Sequence, residues 1–193
     1  MKKNLIVGLF FVTLLLYSKR LFDGFDKKKK MLFEVILKKY GAAKANTLTS
    51  IYTALKALNL PATTIRLALS QVMHETGVFS GKQRASTANN FSGITYSGSA
   101  AQIATGAHKS NIPLPAAEQP KTGAKIYYAH YNNILDWSKD YVRILSKGSK
   151  PIQAASPADF ASRLKKNGYY TDLESVYAKG LQFFNNFLIK GGI

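Results

Sequence analysis

The chain contains no cysteine, and its 193 residues include only ten acidic residues and three histidines. The absence of cysteine excludes disulfide bonds, thiolate metal sites and cysteine nucleophiles. The histidines, His74, His108 and His130, do not have the spacing of a metal-binding motif such as His-Glu-x-x-His. We therefore expect no metal and no cofactor, and each of the few carboxylates becomes informative.

Basic residues are in large excess, and 27 Lys and Arg against 10 Asp and Glu give a formal net charge of +17. Residues 1–30 carry eight basic and two acidic residues, and the rest of the chain carries nineteen basic and eight acidic residues. Because the excess is spread over the whole chain, we expect attraction to polyanions: nucleic acid, anionic lipid or an anionic cell wall. Composition does not distinguish these partners and predicts neither specific nucleic-acid binding nor an oligomeric state.

The longest uncharged apolar run, residues 5–17, is thirteen residues long, whereas a full membrane span needs about 20. Lys2 and Lys3 precede it, as in a signal peptide, but no small-residue cleavage site follows Tyr17. We interpret the run as a retained membrane anchor, with Lys27–Lys30 contacting anionic lipid. The alternative is a buried helix of the globular domain.

The rest of the chain is mainly helical in pattern, with one polar interruption. Apolar periodicity and Gly or Pro breaks predict helices over residues 31–41, 49–58, 63–76, 125–131, 134–145, 157–166 and 173–189. Between residues 77 and 123, frequent Gly, Ser, Thr and Asn predict loops and a small hairpin around FSGITYSG. We expect a mainly α, α+β domain over residues 31–193, with a cleft beside its hairpin lobe, preceded by an anchor and basic linker over residues 1–30.

Glu75 is the carboxylate whose position most favours catalysis. It lies at the end of the clearest amphipathic helix, at the margin of the apolar stripe and just before Gly77. A carboxyl group at such a margin suits a proton donor to a leaving oxygen, as a glycosidase requires. Position alone is more typical of an exposed helix-end glutamate, so the assignment depends on the surrounding motif.

That motif is LALSQVMHETGVFSG followed by ANNFSGI, and it resembles the active-site region of the bacterial N-acetylglucosaminidases (glycoside hydrolase family 73, mannosyl-glycoprotein endo-β-N-acetylglucosaminidase-like). The family pattern is an apolar helix ending in Gln-x-x-x-Glu-Ser/Thr-Gly, a loop, and Asn-Asn-Leu/Phe-Phe-Gly-Ile. The matching positions are Gln71, Glu75, Thr76, Gly77, Asn89, Asn90, Phe91, Gly93 and Ile94; Ser92 stands where a second aromatic residue is usual. The resemblance implies a lysozyme-like fold, with Glu75 as the general acid.

Two later segments extend the resemblance to roughly residues 45–185, in family order. EQPKTG, beginning at Glu118, and IYYAHYNNILDWSKDYVRIL are similar to one family stretch, in which Tyr131 and Asp140-Tyr141 match. NGYYTD resembles the Gly-Tyr-Ala-Thr-Asp motif, with Tyr177-Ala178 following it. By this resemblance, the functionally implicated tyrosine of the family is Tyr169.

Other site residues are less sharply predicted. Glu118 is the best candidate for a second carboxylate that activates water or stabilises an oxocarbenium-like centre. An acidic residue at this position is equally typical of a surface loop. The acetamido group of the substrate could take the place of the second carboxylate. The predicted substrate contacts are Asn90, Phe91, Gly93, Tyr96 and Tyr170. Asn90 is also suited to holding the loop beside Glu75, and Tyr170 to closing the core.

Together these features predict a peptidoglycan hydrolase of the endo-N-acetylglucosaminidase type, anchored by residues 5–17 and acting at the cell wall. A bacterial envelope and a membrane-containing virion both fit, as does a phage lytic enzyme. The basic residues after the apolar run favour a cytoplasmic domain, which conflicts with an outward-facing enzyme. Two alternatives stay open: a muramidase or lytic transglycosylase on the same fold, and a non-catalytic basic protein that bridges membrane and nucleic acid in a virion.

Overall fold

The computed structural model of the chain describes residues 27–80 and 83–193. Its helices and strands, in chain order, are α1 (Lys27–Tyr40), α2 (Ala42–Ala57), α3 (Ala62–Thr76), α4 (Gln83–Thr87), α5 (Ala100–Ile103), β1 (Ala107–Pro113), β2 (Tyr127–Tyr131), α6 (Ile134–Leu145), α7 (Pro157–Lys166) and α8 (Glu174–Lys190). Short 3₁₀ turns occupy Ala116–Glu118 and Pro151–Gln153. The predicted mainly α, α+β class is confirmed, and the arrangement fits a lysozyme-like fold.

Helix α3 is the most enclosed of these helices, with ten of its 15 residues buried. It follows Pro61 and ends at Gly77, which adopts the left-handed conformation (φ 54°) that favours glycine at a helix C-terminus. Because the helix is covered on most sides, its buried polar groups need partners inside the protein. The hydroxyl of Ser70 donates to the carbonyl of Arg66 at 2.8 Å, and that of Thr76 to the carbonyl of Val72 at 2.7 Å.

Helix α1 packs into the domain. Leu32 and Ile36 are fully buried, and Met31 and Val35 lie against the two glycines that follow α8. The basic segment Lys27–Lys30 forms the first described turn of this helix. Among the described residues no helix is long and apolar enough to cross a membrane, and the predicted anchor at residues 5–17 lies outside them.

The polar lobe is an antiparallel hairpin of β1 and β2, in which Ala107 pairs with Tyr131 and Lys109 with Ala129. The predicted helix over residues 125–131 is therefore wrong. The segment YYAHY is rich in aromatic residues that favour a strand, and five residues are too few for helical periodicity to be distinguished. The predicted hairpin around residues 91–98 contributes only a single bridge, between Thr95 and Tyr128.

Two helices have the bounds that the sequence predicts, and each has a clear N-cap. The side chain of Asn133 accepts from the Asp136 amide at 2.9 Å at the start of α6, and that of Ser156 accepts from the Asp159 amide at 3.2 Å at the start of α7. Trp137 is fully buried, and its indole N–H donates to the Ser92 hydroxyl at 3.1 Å. The short helices α4 and α5 were not predicted.

Neighbouring residues of α1 offer a matched test of whether this helix belongs to the domain. Ile36 is fully buried and Leu37 is 42% exposed. We expect Ile36→Ala to lower the free energy of unfolding by about 2–5 kcal/mol, because it removes buried methylenes and leaves a cavity. Leu37→Ala should change it by no more than about 0.5 kcal/mol. Urea denaturation of both variants measures the difference, and equal small effects would show that α1 is not part of the folded core.

Candidate active site

A cleft of about 1010 Å³ lies between the helical part and the hairpin lobe. Helices α3, α4, α6 and α8 contribute to its lining, together with strand β2, the loop after α4 and the segment between α7 and α8. Five of the predicted site residues line it: Glu75, Gly93, Glu118, Tyr169 and Tyr170. Residues that are 94 positions apart in sequence thus share one cleft.

Glu75 is the last residue but one of α3, and its side chain is 20% exposed. One carboxylate oxygen, Oε1, accepts a hydrogen bond from the hydroxyl of Tyr177 at 2.7 Å. The other, Oε2, lies 3.4 Å from Nη2 of Arg84. The carboxyl group is therefore shielded from bulk water, held from two sides, and open to the cleft.

Arg84 on α4 is a site residue that the sequence did not identify. Its Nη2 also donates to the backbone carbonyl of Glu75 at 3.2 Å, so it binds both the side chain and the end of helix α3. The guanidinium lies 5.3 Å from the ring centre of Tyr128, a cation–π contact. Its Nε is buried and has no hydrogen-bond partner among the described residues.

Gly93 lies next to Arg84, in the loop after α4. Its φ of +69° lies in the region that favours glycine, and a Cβ at this position would be in ordinary van der Waals contact with Nε of Arg84, at 3.4 Å. The glycine of the FSGI motif is therefore required by the backbone conformation of the loop and not by the space that the arginine occupies.

Tyr177 on α8 lies behind Glu75 and belongs to a buried hydrogen-bond chain. Its hydroxyl oxygen accepts from Nε2 of Gln71 at 3.0 Å, and Oε1 of Gln71 accepts from the hydroxyl of Tyr141. Burial, followed by the charge of Glu75, raises the pKa of Tyr177 well above its usual value, so the hydroxyl keeps its proton. The ring is stacked on Tyr170, with centroids 3.8 Å apart.

Tyr169 lines the cleft, and its hydroxyl donates to the backbone carbonyl of Ser92. Burial, together with the charge of Glu75, raises its pKa, so this hydroxyl also stays protonated. Tyr170 is half-buried and donates to the carbonyl of Ala161 at 3.0 Å. Burial and nearby carboxylates raise the pKa of Tyr170 to about 12.

Three predicted substrate contacts lie elsewhere. Asn90 is fully buried; its amide donates to the carbonyls of Ile94 at 2.7 Å and Ala129 at 2.9 Å, and its oxygen accepts from the Ile94 amide. Phe91 is 3% exposed and packs edge-on against Trp137. We correct the expectation for these two residues, because side chains covered in this way support the loop from behind. Tyr96 is half-buried and is not among the described residues that line the cleft.

Glu118 belongs to the hairpin lobe, in the 3₁₀ turn between the two strands, and is exposed. Burial raises the pKa of Tyr128, the charge of Arg84 opposes this, and the charges of Glu118 and Glu75 both add to it. Both carboxylates therefore act on one tyrosine of the cleft wall. The described residues contain no cluster of three or more His, Asp or Glu placed to hold a metal ion.

Comparison with known proteins identifies one family. The model of one protein family, described as mannosyl-glycoprotein endo-β-N-acetylglucosaminidase, matches residues 49–184, from α2 to α8. No curated protein and no solved structure gave a match. The matched range covers most of the chain and every residue that lines the cleft among those described. The chain therefore belongs to this glucosaminidase family and is a glycoside hydrolase that acts on the glycan strand of peptidoglycan.

Proposed function

We propose that the enzyme cuts the β-1,4 bond on the reducing side of N-acetylglucosamine, with Glu75 as the general acid. The observation that carries the proposal is the carboxyl group of Glu75, which is shielded to 20% exposure and opens on a cleft of about 1010 Å³. Departure of a sugar hydroxyl needs a proton at the glycosidic oxygen, and a positioned carboxylic acid supplies it.

In the proposed reaction the bond between the anomeric carbon and the glycosidic oxygen breaks as Glu75 transfers its proton to that oxygen. A second group then stabilises the positive charge that develops on the sugar ring. Glu118 has this role in our proposal: it takes a proton from water while the water oxygen bonds to the anomeric carbon. The acetamido group of the substrate is the alternative, because Glu118 is exposed and lies on a turn.

Tyr169 has a positioning role in this scheme. Its hydroxyl is engaged with the carbonyl of Ser92, next to Gly93, and so ties the segment after α7 to the loop after α4. Both segments line the cleft beside Glu75. The ring of Tyr169 and the neighbouring Tyr170 then form an aromatic wall on which a sugar can pack.

We further propose that the enzyme lyses or remodels cell walls from a membrane-bound position, with residues 5–17 as the anchor. The support is the apolar run in the sequence and the basic turn that follows it, in which Lys27, Lys28 and Lys30 are exposed. Such a turn suits contact with anionic headgroups. The net charge of +17 would also favour binding to the peptide carboxylates of the wall.

Substitution of Glu75 tests the general acid. Glu75→Gln keeps the shape of the side chain but cannot donate the proton, so we expect wall hydrolysis to fall at least about 100-fold. Glu34→Gln, at an exposed glutamate of α1, is the matched control and should keep wild-type activity. Glu118→Gln should cause a smaller loss than Glu75→Gln. Turbidity loss of purified walls measures all three, and a Glu75→Gln enzyme with more than about a tenth of wild-type turnover contradicts the assignment.

The cleaved bond is identified by the new chain ends. We expect digested peptidoglycan to carry reducing N-acetylglucosamine, which borohydride converts to a mass-shifted alcohol before mass spectrometry. Reduced muramic acid would instead indicate a muramidase, and anhydro-muramic ends a lytic transglycosylase.

Removal of residues 1–26 tests the anchor while leaving all of described helix α1 in place. We expect the truncated protein to stay folded and active on isolated walls, because the cleft residues all follow residue 70. It should sediment less with anionic vesicles than the full chain does, because it lacks the apolar run. A full-length protein that stays in the supernatant would exclude the anchor, and a truncated protein that unfolds would favour a core helix.

A further inference from the structure

A line of hydrogen bonds runs from the core of the protein to the cleft. It begins at Tyr141 on α6, passes through Gln71 on α3 and Tyr177 on α8, and ends at Oε1 of Glu75. Tyr141 and Gln71 are fully buried and Tyr177 is 3% exposed. We propose that Tyr177 is a positioning residue for the acid, and that its hydroxyl fixes the orientation of the Glu75 carboxyl group by donating to Oε1. The inference rests on the proposed role of Glu75 as the acid.

The direction of the line follows from which atoms can donate. The nitrogen of the Gln71 amide can only donate and its oxygen can only accept. Because Nε2 of Gln71 faces the hydroxyl oxygen of Tyr177 at 3.0 Å, that oxygen must accept, and its single hydrogen is left for Oε1 of Glu75 at 2.7 Å. In the reverse amide orientation the Tyr177 hydroxyl would donate to the oxygen of Gln71 instead, and an ionised Glu75 would lose this hydrogen bond.

The hydroxyl of Tyr141 fixes the amide orientation. In the observed orientation it donates to the oxygen of Gln71; in the reverse orientation it would accept from the Gln71 N–H, and its own hydrogen would have no acceptor among the hydrogen bonds of the described residues. A residue that is fully buried and does not line the cleft among the described residues thus determines where a hydrogen points at the catalytic carboxyl group.

The consequence concerns the orientation of the Glu75 carboxyl group. Oε1 accepts from the hydroxyl of Tyr177 at 2.7 Å, and Oε2 accepts from Nη2 of Arg84 at 3.4 Å. The tyrosine contact has the length of a strong hydrogen bond, whereas the arginine contact is longer than the about 2.7–2.9 Å of a strong charge-assisted hydrogen bond from nitrogen. Loss of the Tyr177 hydroxyl would therefore leave the carboxyl group with the weaker of these two contacts and free it to rotate.

This arrangement gives the Gln-x-x-x-Glu spacing a physical purpose. Residues four apart lie on the same face of a helix, so Gln71 and Glu75 both point at α8, where one tyrosine can bridge them. Replacing the glutamine would leave Glu75 on its helix but would free the hydroxyl of Tyr177 to turn.

Tyr177→Phe tests the proposal, because it keeps the ring that stacks on Tyr170 and removes only the hydroxyl. Two substrates are compared: a soluble peptidoglycan oligosaccharide, and the same glycan as a dinitrophenyl glycoside, whose leaving group departs without a proton. On the oligosaccharide we expect kcat to fall at least about tenfold with KM little changed, because the variant loses one hydrogen bond to a charged group. On the dinitrophenyl glycoside we expect no loss.

Tyr131→Phe is the matched control. Its hydroxyl also donates to a carboxylate at 2.7 Å, that of Asp140, but both residues lie outside the described lining of the cleft. We expect it to lower the unfolding temperature and to leave kcat on both substrates unchanged. Tyr141→Phe removes the far end of the line and should lower kcat on the oligosaccharide alone, by less than Tyr177→Phe.

The outcomes separate the two proposals. A Tyr177→Phe enzyme with wild-type kcat on the oligosaccharide, or with equal losses on both substrates, overturns the inference while an inactive Glu75→Gln enzyme still supports the acid. An active Glu75→Gln enzyme overturns the acid itself. If Tyr177→Phe does not fold, as judged by thermal unfolding, Tyr141→Phe decides, and wild-type kcat on the oligosaccharide then counts against the inference.

Discussion

The enclosure of helix α3 is the constraint on which the site depends. A helix with ten of 15 residues buried cannot leave polar side chains to water, so its glutamine and its glutamate have to find partners on other helices. Helix α8 provides them with a single hydroxyl, that of Tyr177. The same contacts that satisfy the buried groups therefore fix the orientation of the carboxyl group that opens on the cleft.

A second buried carboxylate joins the hairpin lobe to the helices. Asp140 on α6 is fully buried and accepts hydrogen bonds from Tyr131 on β2, Gln102 on α5 and Arg143. An unpaired charge at this depth would be costly, so the three donors are held together once the chain folds. The hairpin that carries Glu118 is thereby attached to α6, which stabilises the fold without adding a side chain to the described lining of the cleft from either Tyr131 or Asp140.

Local signals in the sequence predicted some of these features and could not predict others. Helices α6 and α7 have the predicted bounds because an Asn or Ser cap precedes a clear apolar period. Strand β2 was assigned to a helix because five residues do not distinguish the two periods. Glu75 and Tyr169 were found through motifs, and both line the cleft. Arg84 lies in no such motif, and its role depends on the contact that α4 makes with the end of α3.

Local sequence patterns also could not predict contacts between residues that are far apart in the chain. Tyr177 bonds to a residue 102 positions earlier, and Tyr141 to one 70 positions earlier. The resemblance matched Tyr177 to the family pattern but assigned it no role in the site. The sequence offered Asn90 both as a sugar contact and as a support for the loop, and its complete burial, which leaves only the second role, follows from packing.

The positive φ of Gly93 restricts how this chain can vary. An alanine at position 93 would have to adopt the strained backbone at φ +69°, whereas its Cβ, 3.4 Å from Nε of Arg84, would make an ordinary van der Waals contact. A smaller side chain at position 84 would therefore not relieve the strain at position 93. The glycine is required by the conformation of its own backbone, and that requirement would persist in a variant that has lost the arginine.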